Sequence, residues 1–153
     1  MICAIFGENP DELAFGYDED YPTCTEMKFR LVTAMQALIG EGCSCFASTL
    51  EQGAAMWGAE VCDAIRGLGG TVRFIAAPMS EEQASRWHPE RRERYFHLLE
   101  MADELISPMA ETAGEEYLLQ NADAILMLGD TANPRLADIA DRAEKGGIRV
   151  IIA

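Results

Sequence analysis

The stretch Ile2-Cys-Ala-Ile-Phe6 is an unbroken apolar run near the amino terminus, and Gly7 follows it directly. Five further short apolar runs recur along the chain, and we predict strands at 43–49, 71–76, 104–107, 124–128 and 148–152. Continuous apolar runs of this length are typical of strands that helices cover on both faces of a parallel sheet. We therefore expect a three-layer α/β fold, an open sheet of about six mostly parallel strands with helices on both faces.

Segments with helical spacing of apolar residues separate these runs. The predicted helices are 23–39, 53–68, a short one from Ser80, 89–101, 114–121 and 133–145. Two helix starts are predicted from capping boxes, in which a hydroxyl residue precedes Glu or Gln by three positions: Thr23 with Glu26, and Ser80 with Gln83. The connection from Gly7 to Pro22 is longer than most structureless loops, so we expect it to be functional or disordered.

Length and composition limit the class of protein. The chain has 153 residues, a common size for one domain, and we expect one domain over residues 1–153. Its apolar runs are far shorter than the ~20 residues of a membrane-spanning helix, and no basic signal-peptide region is visible, so we expect a cytoplasmic protein with no membrane partner. The five cysteines are odd in number and scattered through apolar segments, which indicates reduced thiols. We expect neither a metal nor a cofactor.

The charge balance disfavours nucleic acid as a partner. Acidic residues outnumber basic ones 26 to 12, for a net charge of −14, which repels a phosphate backbone. One basic cluster runs from Arg86 to Arg94, but Glu90 and Glu93 interrupt it, and we interpret it as the solvated face of a helix. DNA association through this cluster is the weaker alternative.

In open parallel sheets, ligands bind outside the carboxyl ends of the strands, where the strand order reverses. The loops after strands one, two, four and five should meet there, and the fourth strand leads into Ser107-Pro108-Met109. The residues that we predict to bind a ligand are Gly7, Glu8, Asn9, Thr49, Glu51, Gln52, Gly53, Trp57, Glu60, Gly129, Asp130 and Thr131.

Several of these residues have a structural interpretation as well. Gly53 could open a helix toward an anion or simply form a tight turn, and Glu51 beside it would repel a phosphate. Trp57 is more typical of a core residue than of a base-stacking one. Glu60 could reach a ribose or an arginine, or be solvated, and we interpret His88 as a helix cap. Neither G-x-G-x-x-G after the first strand nor a P-loop sequence is present.

Five segments together resemble a known family in order and spacing: 6–10, 15–19, 53–60, 78–95 and 102–103. The chain is similar to the YpsA-like branch of the SLOG superfamily, which also contains DprA and the LOG enzymes, and the similarity covers nearly its whole length. The resemblance implies a Rossmann-like fold and a nucleotide or nucleotide-derived ligand. Some members of the superfamily are phosphoribohydrolases and others are sensors or DNA-binding proteins.

The chain departs from the family where the ligand should lie. Where the family has Gly-His-Arg-Pro after the first strand, this chain has Gly7-Glu8-Asn9-Pro10. The Gly-Gly-Thr turn of the family aligns best with Pro134-Arg135-Leu136, and an Arg-Asn pair is replaced by Glu115-Glu116. The gain of Glu8, Glu51, Glu115 and Glu116 should weaken anion binding. We therefore expect a retained scaffold with an altered or lost phosphate site.

Two functions remain open at this point. The first is a binding, regulatory or sensor domain for a nucleotide-related small molecule. The alternative is an N-glycosidic hydrolase or transferase acting on a nucleoside or nucleotide, because such chemistry uses carboxylates beside an oxocarbenium-like centre. Its candidate carboxylates are Glu8, Glu51, Glu60 and Asp130. Pairing of two copies through their helices is a further expectation.

Overall fold

A computed structural model describes residues 1–108, 113–130 and 132–153. In this part of the chain, six strands form one sheet in the order β4-β3-β2-β1-β5-β6, and every neighbouring pair is parallel. The strands are β1 (Ile2–Gly7), β2 (Cys45–Ser48), β3 (Arg73–Ala76), β4 (Glu104–Leu105), β5 (Ala124–Leu128) and β6 (Arg149–Ile152). The predicted open parallel sheet is confirmed, with β2, β3, β4 and β6 shorter than the apolar runs that predicted them.

Helices cover both faces of the sheet, in three layers. They are α1 (Pro22–Gly40), α2 (Ala54–Gly67), α3 (Pro89–Met101), α4 (Ala113–Asn121) and α5 (Pro134–Lys145). Alternate residues of β1 belong to different cores: Cys3 and Ile5 pack with buried residues of α1, α2 and α3, whereas Ala4 and Phe6 pack with those of α4 and α5. This two-sided burial explains why the strands are continuous apolar runs.

The order of the strands places the switch point between β1 and β5. The chain moves from β1 to β2, β3 and β4 on one side, then returns to place β5 on the other side of β1. The loops that follow Gly7 and Leu128 therefore diverge at one edge of the sheet, which is the usual ligand position in such folds. The loops after β2 and β3 begin at the same edge, because these strands run parallel to β1.

Two predicted helix starts are wrong. The first helix begins at Pro22, with Tyr21 as its N-cap and no capping side-chain bond, so the box of Thr23 and Glu26 does not form. Proline suits this position because its missing N–H would be unpaired in the first turn. The short helix predicted from Ser80 is absent, and residues 81–86 form consecutive turns.

The side chain of Gln83 makes two hydrogen bonds that stabilise these turns in place of a helix. Its side-chain oxygen accepts the N–H of Met79 at 2.8 Å, and its side-chain nitrogen donates to the carbonyl of Thr49 at 2.9 Å. These bonds fix the β3–α3 connection to the loop after β2. His88 is the N-cap of α3, as predicted, since its Nδ1 accepts the N–H of Glu90 at 3.4 Å.

The thiols and the helix lengths bear on two other expectations. All five cysteines are free, and four of them are buried. Burial raises the pKa of the Cys3 and Cys62 thiols to about 12, so both stay protonated at neutral pH. Among the described residues, no helix is both long and apolar enough to cross a membrane.

Candidate functional site

The loops after β1 and β2 are in direct backbone contact at the carboxyl edge of the sheet. Gly53 has φ +98°, and a Cβ at this position would collide with the carbonyl oxygen of Glu8. At Gly7, a Cβ would collide with Cβ of Ala54 and lie 2.5 Å from the carbonyl oxygen of Leu128. Both glycines are therefore needed for close approach, which is the tight-turn interpretation of Gly53.

The turn from β2 into α2 is fixed by its own hydroxyl groups. Ser48 Oγ donates to the carbonyl of Ala55 at 2.7 Å and accepts the N–H of Leu50 at 3.2 Å. Leu50 is fully buried with φ +59°, a left-handed conformation that costs ~1–2 kcal/mol for a residue with a side chain. Thr49 is also buried, and its hydroxyl donates to Glu51 Oε1 at 2.9 Å, which orients that carboxylate.

A groove at the switch point, here called the switch-point groove, has a volume of about 270 Å³. Its lining residues are Glu8, Thr23, Glu26, Met27, Arg30, Gly129 and Asp130. Glu8 Oε1 accepts the N–H of Asp130 at 2.8 Å. A carboxylate of the chain itself thus occupies the backbone donor at the end of β5.

Arg135 meets the end of β1 from the start of α5. Its Nη2 donates to the carbonyl of Gly7 at 2.6 Å and to Glu12 Oε1 at 2.6 Å, and its Nε donates to Glu12 Oε2 at 3.1 Å. The bond from Arg135 lowers the pKa of Glu12 to about 2. Arg135 is therefore neutralised by an internal, bidentate carboxylate.

A second cavity, the acidic pocket, lies over the ends of β2 and β3 and has a volume of about 260 Å³. Its lining residues are Asn9, Pro10, Asp11, Tyr17, Glu51, Gln52, Met79, Gln83 and Trp87. They combine two aromatic rings, three amide groups and two carboxylates. None of these described lining residues is a lysine or an arginine.

A third cavity, the basic pocket, adjoins the acidic pocket and has a volume of about 330 Å³. It is lined by Tyr17, Gln52, Arg86, Trp87, His88 and Arg91. Three of these residues, Tyr17, Gln52 and Trp87, line the acidic pocket as well. The two cavities are therefore neighbours that share part of their lining, and together they are called the depression.

The long loop after β1 is tied down by a charged cluster, here called the Glu19 cluster: Glu19, Lys28, Glu60, Arg91 and Arg94. Glu19 pairs with Lys28 at 2.6 Å, Arg94 at 2.8 Å and Arg91 at 3.0 Å, and Arg94 also pairs with Glu60 at 2.6 Å. Burial alone would raise the pKa of Glu19, but its bonds from Arg94 and Lys28 lower it to about 2. The interpretation of the basic cluster as a solvated face is wrong for Arg91 and Arg94.

Arg91 also contacts Tyr17 directly and so connects this residue to the Glu19 cluster. Its Nη2 donates to the carbonyl of Tyr17 at 2.7 Å, and its guanidinium carbon lies 4.8 Å from the centre of the Tyr17 ring. Its Nη1 donates to Gln52 Oε1 at 3.2 Å. Trp87 is fixed by edge-on packing against Tyr95, with ring centres 5.3 Å apart. Both rings of the depression are therefore positioned before any ligand arrives.

The structure separates the predicted ligand residues into groups. Asn9, Glu51 and Gln52 line the acidic pocket, whereas Glu8, Gly129 and Asp130 line the switch-point groove. Trp57 and Glu60 lie instead in a groove between helices beside Lys28 and Arg94. Gly7, Thr49 and Gly53 are buried beneath the loops. Thr131, like Met109 of the loop after β4, lies outside the described residues.

Trp57 is almost fully buried, and its indole Nε1 has no hydrogen-bond partner among the described residues. Lys28 Nζ lies 5.3 Å from its ring centre. The acidic-pocket residues that the sequence did not predict to bind a ligand include Asp11, Tyr17, Met79, Gln83 and Trp87. The length of the 7–22 loop, which contains Asp11 and Tyr17, was the available signal. In the described ranges, no group of three or more His, Cys, Asp or Glu side chains could hold a metal ion.

Comparison with known proteins agrees with this architecture. The profile of the YpsA SLOG family matches residues 3–145. A UPF0398 protein of Halalkalibacterium halodurans is 26% identical over 141 residues, which cover 87% of this chain and 74% of the relative. UPF0398 proteins of Lysinibacillus sphaericus and Bacillus pumilus are 23% and 25% identical, each over 84% of this chain and 76% and 73% of the relative. The chain belongs to the YpsA SLOG family.

Proposed function

We propose that this protein is a binding domain for a nucleoside-type ligand, held in the acidic pocket rather than in the switch-point groove. The observation that carries the proposal is the lining of that pocket. Tyr17 and Trp87 offer flat apolar faces for a base, and amides and carboxylates offer acceptors and donors for base edges and sugar hydroxyls. A phosphate at the same place would face Asp11 and Glu51.

The internal pairing at the switch point supports the same proposal. The N–H of Asp130 already binds Glu8, and Arg135 already binds Glu12. An incoming phosphate would have to displace both carboxylates from charge-assisted bonds, each worth ~1.5–3 kcal/mol. These two internal bonds disfavour a phosphate at the usual position of the fold and so support a ligand site elsewhere.

Calorimetric titration with the common nucleosides tests the proposal. We expect at least one nucleoside to bind, and we expect its affinity to be nearly insensitive to salt, because no net charge is brought to the site. Absence of binding by every nucleoside and nucleobase in the panel would refute the proposed ligand class.

A matched pair of tyrosines locates the bound base. Tyr17 lines the pocket and is 56% exposed, whereas Tyr21 is 51% exposed and stacks on Phe15 outside it. Replacing Tyr17 with Ala should weaken nucleoside binding about tenfold or more, since a base–aromatic stack is worth ~1–3 kcal/mol. Tyr21→Ala should leave the affinity within about twofold. Equal effects of the two variants would contradict a base stacked on Tyr17.

A second candidate function, N-glycosidic hydrolysis, is favoured by the presence of Asp11 and Glu51 in one pocket. A carboxylate there could stabilise positive charge on the sugar while water adds to it and the base departs. Chromatography would detect the free base, and Glu51→Gln should abolish its release. If a bound nucleoside is recovered intact after prolonged incubation, hydrolysis is refuted and only the binding function stands.

A further inference from the structure

The depression formed by the acidic and basic pockets has ends of opposite charge. At one end lie Asp11 and Glu51, and at the other lie Arg86, His88 and Arg91. The rings of Tyr17 and Trp87 border both ends. Each cavity holds about 260–330 Å³, so together they fall within the ~300–1,000 Å³ of small-molecule sites. A ligand that fills both ends therefore needs hydrogen-bond donors at the acidic end and an anionic group at the basic end.

The positive end persists although the whole chain carries a charge of −14. In the Glu19 cluster, three cations share two carboxylates, so the cluster keeps an excess of positive charge. Arg91, which belongs to it, is only 13% exposed and forms one wall of the basic pocket. Its two Nη atoms already contact Glu19, Gln52 and Tyr17, so its main contribution to the pocket wall is charge.

Arg86 supplies the free donors. It is exposed, it lines the basic pocket, and no hydrogen bond or ion pair engages it within the described ranges. His88 adds a second donor: because Nδ1 accepts the N–H of Glu90, the proton of the neutral ring is on Nε2. A guanidinium and an imidazole that border one cavity are suited to an anionic group such as a phosphate monoester or a carboxylate.

We propose that the two pockets bind one nucleoside carrying an anionic substituent, with the nucleoside part in the acidic pocket and the anion beside Arg86 in the basic pocket. The inference rests on the proposed function, because it adds an anion site to the same nucleoside. It relocates the phosphate of a nucleotide from the switch point of the sheet to the connection between β3 and α3. Ligands of this class include nucleoside monophosphates and nucleosides with a carboxylate side chain.

Titration of matched ligand pairs tests the proposal: each common nucleoside, its 5′-monophosphate, and inorganic phosphate. In low salt, the monophosphate should bind about tenfold more tightly than its nucleoside, the factor expected from one charge-assisted hydrogen bond. About 0.5 M salt should remove most of this gain, because the basic pocket is open to solvent. Inorganic phosphate should compete with the monophosphate and leave nucleoside binding unchanged.

Two arginine variants separate the anion site from general charge effects. Arg86→Gln should abolish the gain from the phosphate and leave nucleoside affinity within about twofold. Arg73→Gln makes the same charge change at the exposed first residue of β3, at the opposite edge of the sheet, and should leave the gain intact.

The possible results are distinguishable. A nucleoside that binds equally well with and without its phosphate, or a phosphate gain that survives Arg86→Gln, would overturn the anion site and leave the proposed function standing. Binding of a monophosphate that requires Arg86, without binding of any nucleoside, would refute the nucleoside pocket and retain the anion site. If no ligand in the panel binds, both the nucleoside pocket and the anion site are refuted.

Discussion

The switch-point groove and the depression over β2 and β3 lie at the same edge of one sheet, yet the chain treats them differently. At the switch point, Glu8 accepts the N–H of Asp130 and Glu12 binds the guanidinium of Arg135. Over β2 and β3, ion pairs hold Tyr17 beside a cavity whose faces remain open. The topology of the sheet thus locates the edge, whereas the side chains decide which part of that edge is open.

Gly53→Ala should have the largest effect, because it disrupts the contact on which both regions depend. The φ of +98° and the collision with the Glu8 carbonyl should together lower the free energy of unfolding by about 3 kcal/mol. Chemical denaturation measures this change.

Gly42→Ala is the matched control, because Gly42 has φ +102° and open space where a Cβ would lie. We expect only the conformational cost there, about 1 kcal/mol. Equal losses in the two variants would mean that the close approach of the loops is not important for stability.

Glu19 and Glu12 each anchor a different part of the loop after β1. Both have a pKa of about 2 in the folded protein, below the usual 4.5. The unfolded chain therefore binds more protons, so each contribution to stability is present above about pH 4.5 and is lost as the pH falls toward 2. After allowance for partial exposure, we expect about 2 kcal/mol from each.

Glu19→Gln and Glu12→Gln should each lower stability at neutral pH and flatten its decline in acid. Glu19→Gln should also weaken nucleoside binding, and by more than Glu12→Gln, because it weakens one of the contacts through which Arg91 holds the loop that carries Tyr17. Asp20→Asn, next to Glu19 but exposed, is the control for removing one negative charge. If Glu12→Gln weakened nucleoside binding more than Glu19→Gln, the assignment of the ligand to the depression would fail.

Trp57→Phe should have the smallest effect. The substitution removes an unpaired buried N–H, which offsets the loss of packing, so stability should change by no more than about 1 kcal/mol. Nucleoside affinity should be unchanged, because Trp57 lines neither pocket of the depression. A loss of affinity without a loss of stability would place this tryptophan at the ligand.

The sheet could be predicted because its central strands are continuous apolar runs, which burial on both faces requires, and because glycine follows or ends β1 and β5. The helix from Ser80 failed for a non-local reason: Gln83 bonds to Thr49, and no local pattern reports a partner 34 residues away. Family resemblance identified the correct superfamily branch over nearly the whole chain.

The candidate site was harder to predict because residues of the same type, such as two glutamates, have different contacts in the folded chain. Glu8 and Glu51 both follow a strand, and from the sequence alone both are predicted to repel a phosphate. In the fold, Glu8 binds a backbone N–H beside β5, whereas Glu51 faces a cavity with Tyr17 and Trp87. Those two rings are 70 residues apart in the chain, and only the Glu19 cluster and the β3–α3 turns bring them together.

The most direct test of the central claim is calorimetric titration of Glu51→Gln and Glu8→Gln with the nucleoside that binds the unmodified protein most tightly. Both changes are isosteric and can retain the bonds that each oxygen accepts from Thr49 or Asp130. We predict that Glu51→Gln weakens binding about tenfold, as expected for a lost charged acceptor, and that Glu8→Gln changes it less than twofold. The reverse order would contradict the account and return the ligand to the switch point.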